Sequence, residues 1–229
     1  MTAERSLPER TSGAETLART APLHGWSERF AALPDGVQVV AEPFVAMADL
    51  RLDPAGPAAE AVAAHLGVAL PTTPNTWVQG DTTAVIWLGP DEWLVTSPFT
   101  TPEDLDAGLR AVVGGAGGAG AVVDVSAQRT TLSLRGAQVR DVLATGCSLD
   151  LHPRVFGTGC AAQTTVGLAG VVLLALDPTA GHYRLVVRSS FARHLAAWLL
   201  DAALEFSTEF STEFSTEFST EHTDPGRGA

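Results

Sequence analysis

The chain has 229 residues, of which 45% are hydrophobic, and it carries a net charge of −12. This length suffices for one substantial domain or for two small subdomains that share a core. All 14 basic side chains are arginines, and the lack of lysine excludes Schiff-base chemistry and a glycine-lysine phosphate loop, because both need an amine. The segment from Glu205 onward supplies six acids and one arginine, which leaves −7 on the remaining chain and opposes nucleic-acid binding.

The sequence also lacks the signals of export. No apolar run reaches the roughly 18–20 residues that a bilayer requires. The N-terminal residues are polar and charged, without an apolar signal core. Two cysteines, Cys147 and Cys160, are too few for a disulfide framework and fit a reducing compartment. We therefore expect a cytoplasmic protein that binds neither membrane nor nucleic acid.

The first part of the chain alternates between strand and helix patterns. Residues 1–21 are polar and are predicted to be disordered. Segment 36–53 predicts strands on both sides of Pro43. Residues 57–67 predict a short alanine-rich helix that ends at Gly67.

A β-meander and a second helix complete this first subdomain, which we place at 22–113. Three short runs rich in Val, Ile, Trp and Thr, separated by turn residues, predict antiparallel strands over 76–98. Residues 101–113 predict a helix with Thr101 as its N-cap and Pro102 in its first turn.

A glycine-rich segment, GGAGGAG at 114–120, contains the spacing G-x-G-x-x-G. A dinucleotide-binding fingerprint follows a strand and opens a helix. Here a helix comes first and a strand follows, so we interpret the segment as a flexible linker between two subdomains.

We place the second subdomain at 121–204, where the sequence predicts strands, a helix ending at Gly146, further strands and a long terminal helix. Five apolar residues of this last helix recur at helical spacing and predict one buried stripe: Phe191, Leu195, Trp198, Leu199 and Ala202. Helices on one face of such a strand set give an α+β fold with mostly antiparallel sheets. Residues 205–229 contain four copies of Glu-Phe-Ser-Thr and predict a disordered acidic tail, with a partner-binding segment as the alternative.

The stretch 121–153 gathers residue types that could form a catalytic site: Asp124, Ser126, Arg129, Cys147, Asp150 and His152. Ser126 lacks the glycine-flanked turn of a hydrolase nucleophile, although a triad dispersed along the chain stays open. The simpler interpretation is hydrogen bonding at a strand end by Asp124 and Ser126, and an ion pair between Arg129 and a nearby acid.

Two further constellations have structural alternatives. Cys147, His152 and Cys160 are spaced too widely for structural zinc, although His182 could supply a fourth ligand. Two buried thiols and a loop histidine that makes ordinary hydrogen bonds are the alternative. The carboxylates of Asp91 and Glu92 lie beside two tryptophans, Trp87 and Trp93. That pattern favours a packed turn, or an interface, over a sugar or folate site.

Six stretches give the chain a specific resemblance to a family. They occur in family order and cover most of 22–204: LPTTPNT (70–76), WLGPDEWLV (87–95), VVDVSAQRTTLSLRG (122–136), RDVLATGCSLDLHPRVF (140–156), CAAQT (160–164) and LVVRSSFARHLAAWLLDA (185–202). On these stretches the chain resembles the gamma subunits of bacterial heterotetrameric sarcosine oxidases. Its D-V-S segment is also similar to the D-x-S segment of the aminomethyltransferase and folate-binding superfamily.

The resemblance implies a place in a larger enzyme. Such a complex oxidatively demethylates sarcosine to glycine, with peroxide and a one-carbon unit that tetrahydrofolate can accept. FAD, FMN, NAD, tetrahydrofolate and zinc would lie on the alpha, beta and delta subunits, and this chain would dock mainly on the large alpha subunit. The resemblance implies that this chain has no catalytic, cofactor-binding or metal-binding residue. It also implies two subdomains similar to the folate-binding part of glycine-cleavage aminomethyltransferases.

Two other functions stay open. One is a free-standing folate-dependent one-carbon enzyme, and the other is an unrelated small-molecule-binding module. Binding of tetrahydrofolate by the isolated chain would distinguish the first of these, because fold alone does not assign function.

Overall fold

Two five-stranded sheets form the centre of the molecule. The computed structural model describes residues 19–117 and 119–207. The strands of these residues are β1 (Gln38–Glu42), β2 (Ala46–Leu52), β3 (Trp77–Gln79), β4 (Ala84–Gly89), β5 (Glu92–Ser97), β6 (Gly120–Asp124), β7 (Arg129–Arg135), β8 (Ala161–Val166), β9 (Ala169–Ala175) and β10 (His182–Arg188). The helices are α1 (Ser27–Ala31), α2 (Pro57–Leu66), α3 (Pro102–Gly115), α4 (Val139–Ala144) and α5 (Ala192–Ala202), with short 3-10 helices at Ser189–Phe191 and Ala203–Phe206.

All strand pairs of the two sheets are antiparallel, which confirms the predicted α+β class. Sheet I has the order β3-β4-β5-β2-β6, and sheet II has the order β1-β7-β10-β9-β8. The predicted meander is confirmed as β3, β4 and β5. The two strands predicted around Pro43 are also confirmed, but β1 belongs to sheet II and β2 to sheet I.

The sheets exchange one strand each across the subdomain boundary predicted at 114–120. Strand β1 of the first half pairs with β7, with Gln38 opposite Arg135. Strand β6 of the second half pairs with β2, with Asp124 opposite Ala48. The two halves of the chain are therefore interlocked, because neither sheet is complete without a strand from the other half.

The linker predicted at 114–120 is shorter than expected. Helix α3 continues through Gly115, and β6 already begins at Gly120. A Cβ atom on Gly120 would lie 2.8 Å from a methyl group of Val113. The last turn of α3 thus packs directly on the start of β6, and this close approach is what requires a glycine.

Three apolar clusters divide the molecule into four layers. One cluster joins sheet II to α1, α4 and α5. A second joins sheet I to α2 and α3. The third lies between the two sheets and includes Met47, Ile86 and Leu94 of sheet I with Leu174 and Val186 of sheet II. Each sheet is therefore covered by helices on one face and partly by the other sheet on the opposite face.

Both predicted ends of α2 and the predicted start of α3 are confirmed, whereas α3 runs two residues beyond its predicted end at 113. Pro57 starts α2, and Gly67 closes it in the left-handed conformation at φ 67°. The Thr101 hydroxyl caps α3 by accepting a 3.1 Å hydrogen bond from the Asp104 amide.

The stripe predicted for α5 needs one correction. Phe191 precedes the helix, in the 3-10 helix Ser189–Phe191, and is 46% exposed, so it does not follow the helical period. Leu195 and Leu199 are fully buried as predicted, while Trp198 and Ala202 are only partly buried. Ala196, which follows Leu195 in the helix, is also fully buried.

Candidate functional site

Asp124 and Ser126 form a clamp at the end of β6. The Ser126 hydroxyl accepts a 2.8 Å hydrogen bond from the Met47 amide and lies 2.6 Å from Asp124 Oδ1. The same carboxylate oxygen accepts a hydrogen bond of 2.9 Å from the Ser126 amide. These bonds hold the chain leaving β6 against β2 and confirm the interpretation of both residues as strand-end contacts.

Arg129 does not make the predicted ion pair. No carboxylate of residues 19–117 or 119–207 forms a salt bridge with it, and its Nε is buried without a hydrogen-bond acceptor. Its partner across the sheet is a second arginine, Arg188 of β10. Burial chiefly lowers the pKa of Arg129, and Arg188 lowers it further, whereas Asp49 and Glu92 act in the opposite direction.

Cys147, Asp150 and His152 do not converge on one point. The Cys147 thiol is buried and lies 3.9 Å from the Thr164 hydroxyl. Asp150 accepts a hydrogen bond from the His152 amide, and His152 Nδ1 accepts one of 3.2 Å from the Arg154 amide. Their polar atoms therefore support the loop before β8.

The thiols also do not form a metal site with the histidines. Cys160 Sγ donates toward the Val155 carbonyl, and His182 lies 3.1 Å from the Ser133 hydroxyl on sheet II. Within the described ranges no group of three or more His, Cys, Asp or Glu side chains could hold a metal ion. These donors do not fit zinc, and the zinc content of the purified chain is the test of that prediction.

The glycine-rich segment does not fit a nucleotide either. Gly115 is the last residue of α3, so the helix end at this segment presents carbonyl groups rather than the amide donors that bind phosphate.

The hairpin between β4 and β5 is a packed corner. Trp87 and Trp93 are cross-strand partners, and Trp93 is fully buried, with its Nε1 donating a 2.8 Å hydrogen bond to the Pro71 carbonyl. Glu92 pairs with Arg51. Burial and then Asp49 raise the pKa of Glu92, while Arg51 lowers it. The structure thus favours the packed turn over a ligand site here.

Two clefts contain charged residues of sheet II, and one is lined by both sheets while the other is lined by sheet II alone. The cleft of about 450 Å³ has apolar walls that include Ile86 and Leu174, and the ion pair between Arg184 and Glu42 lies in its lining. Arg184 Nη2 donates a 2.9 Å hydrogen bond to Glu42 Oε1, while its Nε lies 2.9 Å from Oε2 without the alignment of a hydrogen bond. This cleft was not predicted from the sequence, because it arises only when β1 joins the sheet of β10.

The second cleft, which we call the arginine groove, has a volume of about 370 Å³. Arg129 and Arg188 line it together with Gln163 and Thr165 of β8. The alternation of Arg188 with Val186 in a strand pattern was the one sequence signal for this groove.

The described part of the chain contains no helix with the length and hydropathy needed to cross a membrane.

Sequence comparisons point to one family of oxidase subunits. The model of the family "Sarcosine oxidase, gamma subunit family" matches residues 51–205. The chain is 39% identical over 167 residues to the sarcosine oxidase subunit gamma of Corynebacterium sp. (strain U-96), covering 72% of this chain and 78% of that protein. It is 37% identical to the corresponding subunit of Arthrobacter sp over 166 residues, covering 72% and 78% of the two chains.

Solved structures agree with the sequence comparisons. A chain of the heterotetrameric sarcosine oxidase from Corynebacterium sp. U-96, in complex with pyrrole 2-carboxylate, superposes with a TM-score of 0.75 at 33% identity, covering 83% of this chain and 97% of that one. The glycine cleavage system aminomethyltransferase T from Bartonella henselae superposes with a TM-score of 0.52 at 14% identity, covering 76% of this chain and 48% of that one, which is a likeness of fold alone.

The interlocked antiparallel sheets with helices on their outer faces define an aminomethyltransferase-like fold. Within that class, the chain belongs to the sarcosine oxidase gamma subunit family, as its resemblance predicted.

Proposed function

We propose that this chain is a non-catalytic assembly subunit of a heterotetrameric sarcosine oxidase. It docks on the large alpha subunit, beside the beta and delta subunits, and stabilises the complex. The complex oxidatively demethylates sarcosine to glycine, reduces oxygen to peroxide, and passes the one-carbon unit to tetrahydrofolate. FAD, FMN, NAD, tetrahydrofolate and zinc belong to the other subunits in this proposal.

The non-catalytic role is supported chiefly by one observation, which is that the polar side chains of 121–153 make structural hydrogen bonds. Asp124 and Ser126 hold β6 to β2, and Asp150 and His152 hold a loop. A nucleophile needs a base within hydrogen-bond reach. The only acid–base group on Ser126 within the described residues is the Asp124 carboxylate, which is also bound to a backbone amide.

One feature favours a second candidate function. The cleft of about 450 Å³ between the sheets combines apolar walls with the charged groups of Glu42 and Arg184, which is the pattern of small-molecule sites. A free-standing folate-dependent one-carbon enzyme would use such a cleft. Tetrahydrofolate binding by the isolated chain, measured by calorimetry, would support this candidate.

Co-expression with and without the alpha, beta and delta subunits tests the assembly role. The chain should co-purify with the flavin-containing subunits, and without them it should carry no flavin absorbance and show no sarcosine-dependent oxygen uptake. A yellow isolated chain with amine-oxidase activity would contradict the proposal.

The variant Ser126→Ala separates a structural from a catalytic role. We expect a loss of about 0.5–1.5 kcal/mol in unfolding free energy from the lost hydrogen bonds. We also expect an unchanged kcat of the assembled oxidase. A fall in kcat of a hundredfold or more at normal subunit content would place Ser126 in an active site instead.

A further inference from the structure

Two like charges face each other across sheet II. Arg129 of β7 and Arg188 of β10 are directly paired in the register. Like charges directly opposite each other destabilise a sheet. Val186 lies two residues before Arg188 and belongs to the apolar cluster between the sheets, so both arginines lie on the face of sheet II that is directed toward sheet I.

The charges around this pair do not cancel. Among the described residues of sheet I, Asp49 and Glu92 act on Arg129 from the opposite sheet, and Arg51 lies beside Glu92. Arg51 is already paired with Glu92. Three guanidinium groups thus face two carboxylates, which leaves one positive charge uncompensated in a chain whose net charge is −12.

Part of this positive charge is removed from water. Arg129 is partly buried, and its Nε has neither solvent nor a hydrogen-bond acceptor among the described residues. A buried charged donor without a partner is costly. Arg129 and Arg188 lie in the arginine groove, so an anion that enters this groove reaches both side chains.

The groove offers further polar contacts. Thr165 and Gln163 line it from β8, one of the two edge strands of sheet II. Gln163 donates through Nε2 to the Leu88 carbonyl at 2.9 Å, which fixes its side chain between the two sheets. Arg188, Gln163 and Thr165 are exposed, so the groove opens to the surface.

We propose that the arginine groove receives a carboxylate side chain of another subunit of the oxidase complex. This inference rests on the assembly role proposed above and identifies one contact of that assembly. A single carboxylate matches the single uncompensated charge, whereas a doubly charged phosphate group does not. Guanidinium groups bind carboxylates through two parallel hydrogen bonds, and arginine is enriched at protein interfaces.

The test compares two double variants in complex formation. Arg129→Gln with Arg188→Gln removes both charges from the groove. The matched control, Arg110→Gln with Arg140→Gln, removes the same charge from the exposed ion pairs with Asp106 and Asp141. We expect the groove variant to bind the other subunits at least about tenfold more weakly than the parent, and the control to differ from it by less than about threefold.

Each outcome decides the proposal. Equal binding of the groove variant and the control overturns the arginine groove as a contact and leaves the assembly role standing. Failure of the parent chain to bind any other subunit overturns both. If the double variant does not fold, the single variant Arg188→Gln at the exposed position must weaken binding more than Arg110→Gln does, or the proposal is wrong.

Melting temperatures of the chain without its partner subunits distinguish a site for a free anion from a site for a carboxylate side chain of another subunit. If acetate stabilises the parent but not the groove variant, and complex formation is the same for both, the groove binds a free carboxylate and the partner assignment is overturned. In the expected case, acetate at millimolar concentration leaves the melting temperature unchanged, and added salt weakens assembly of the parent more than that of the groove variant.

Discussion

Trp198 of α5 lies against two glycines from different connections. A Cβ atom on Gly146, after α4, or on Gly167, between β8 and β9, would collide with the indole ring. Gly167 also has a positive φ of 52°. Both glycines therefore let one large side chain fasten the terminal helix to sheet II, although the ring itself is only partly buried.

Gly146→Ala should destabilise the chain by about 1–3 kcal/mol, because an added methyl group overpacks the contact with Trp198. Urea unfolding measures this loss. Gly170→Ala is the matched control, since nothing lies within 4 Å of a Cβ there. Combining Gly146→Ala with Trp198→Leu should cost less than the sum of the single changes, and additive losses would show that the ring is not the cause.

His182 should make stability depend on pH. Burial, followed by the charges of Arg135 and Arg184, lowers the pKa of His182 from its usual value of 6.5, although Asp177 and Glu42 act against this. The unfolded chain therefore binds a proton that the folded chain resists, so the stability contributed by this group is lost as the pH falls below about 6.5.

Urea unfolding at pH 7.5 and pH 5.5 measures the difference. The parent chain should lose more stability between these values than His182→Gln, whose amide can still bond to Ser133. Equal losses in the two chains would mean that His182 titrates normally in the folded state.

The role of a residue could be predicted from the sequence where its hydrogen-bond partner lies only a few positions away in the chain. The Asp124 bond to the Ser126 amide spans two residues and belongs to the turn chemistry that the D-V-S sequence indicates. The environment of Arg129 was predicted wrongly, because it depends on the register that places Arg188 opposite it, 59 positions later in the chain. No local pattern carries that information.

At the scale of elements, the strand and helix types followed from their periodicity, and the ends of helices were less certain. The caps of α2 and α3 were predictable because proline, threonine and glycine act locally. The continuation of α3 through Gly115 was not, because glycine disfavours helix and the contacts of this helix end with sheet I, including that of Val113 with Gly120, are long-range.

The end of α5 gives the prediction at this scale. Phe206 packs against the cluster under sheet II, and Ala203 is fully buried. Ending the chain after Asp201 should therefore lower the melting temperature by several degrees, whereas ending it after Ser207 should change it little. The tail predicted at 205–229 begins too early, because Glu205 and Phe206 belong to the 3-10 helix Ala203–Phe206. The rest of that prediction, 208–229, lies outside the described residues, as do residues 1–18 of the N-terminus predicted to be disordered over 1–21.

Circular dichroism melts of the two shortened chains test this expectation beside the full chain. A large loss on removal of 208–229 alone would give the repeat a structural role. The variant Phe206→Ala in the full chain separates the aromatic contact from the mere length of the chain.

At the scale of the whole molecule, the class of fold was predictable and the exchange of strands was not. Alternating apolar residues indicate that β1 and β6 are strands, but the pattern does not name their neighbours. The pairings of β1 with β7 and of β2 with β6 are long-range choices that only the assembled sheets reveal.

Splitting the chain between Gly117 and Gly118 tests the interlocking. Each half alone lacks one strand of its sheet, so we expect neither half to unfold cooperatively. Co-expressed halves should associate and recover the spectrum of the intact chain. A cooperative transition in either half alone would show that the strand exchange is dispensable.

The exchange of β1 and β6 also sets an order for synthesis on the ribosome. Strand β1 cannot pair until β7 has been synthesised, and Arg135, the β7 partner of Gln38, lies 97 positions later in the chain. At about 5–20 residues per second this interval lasts roughly 5–20 s. During that time β1 has an open hydrogen-bonding edge, which is an opportunity for wrong pairing. The nascent chain is therefore expected to rely on chaperones until β7 emerges, and its yield should improve when translation is slowed after, rather than before, that strand.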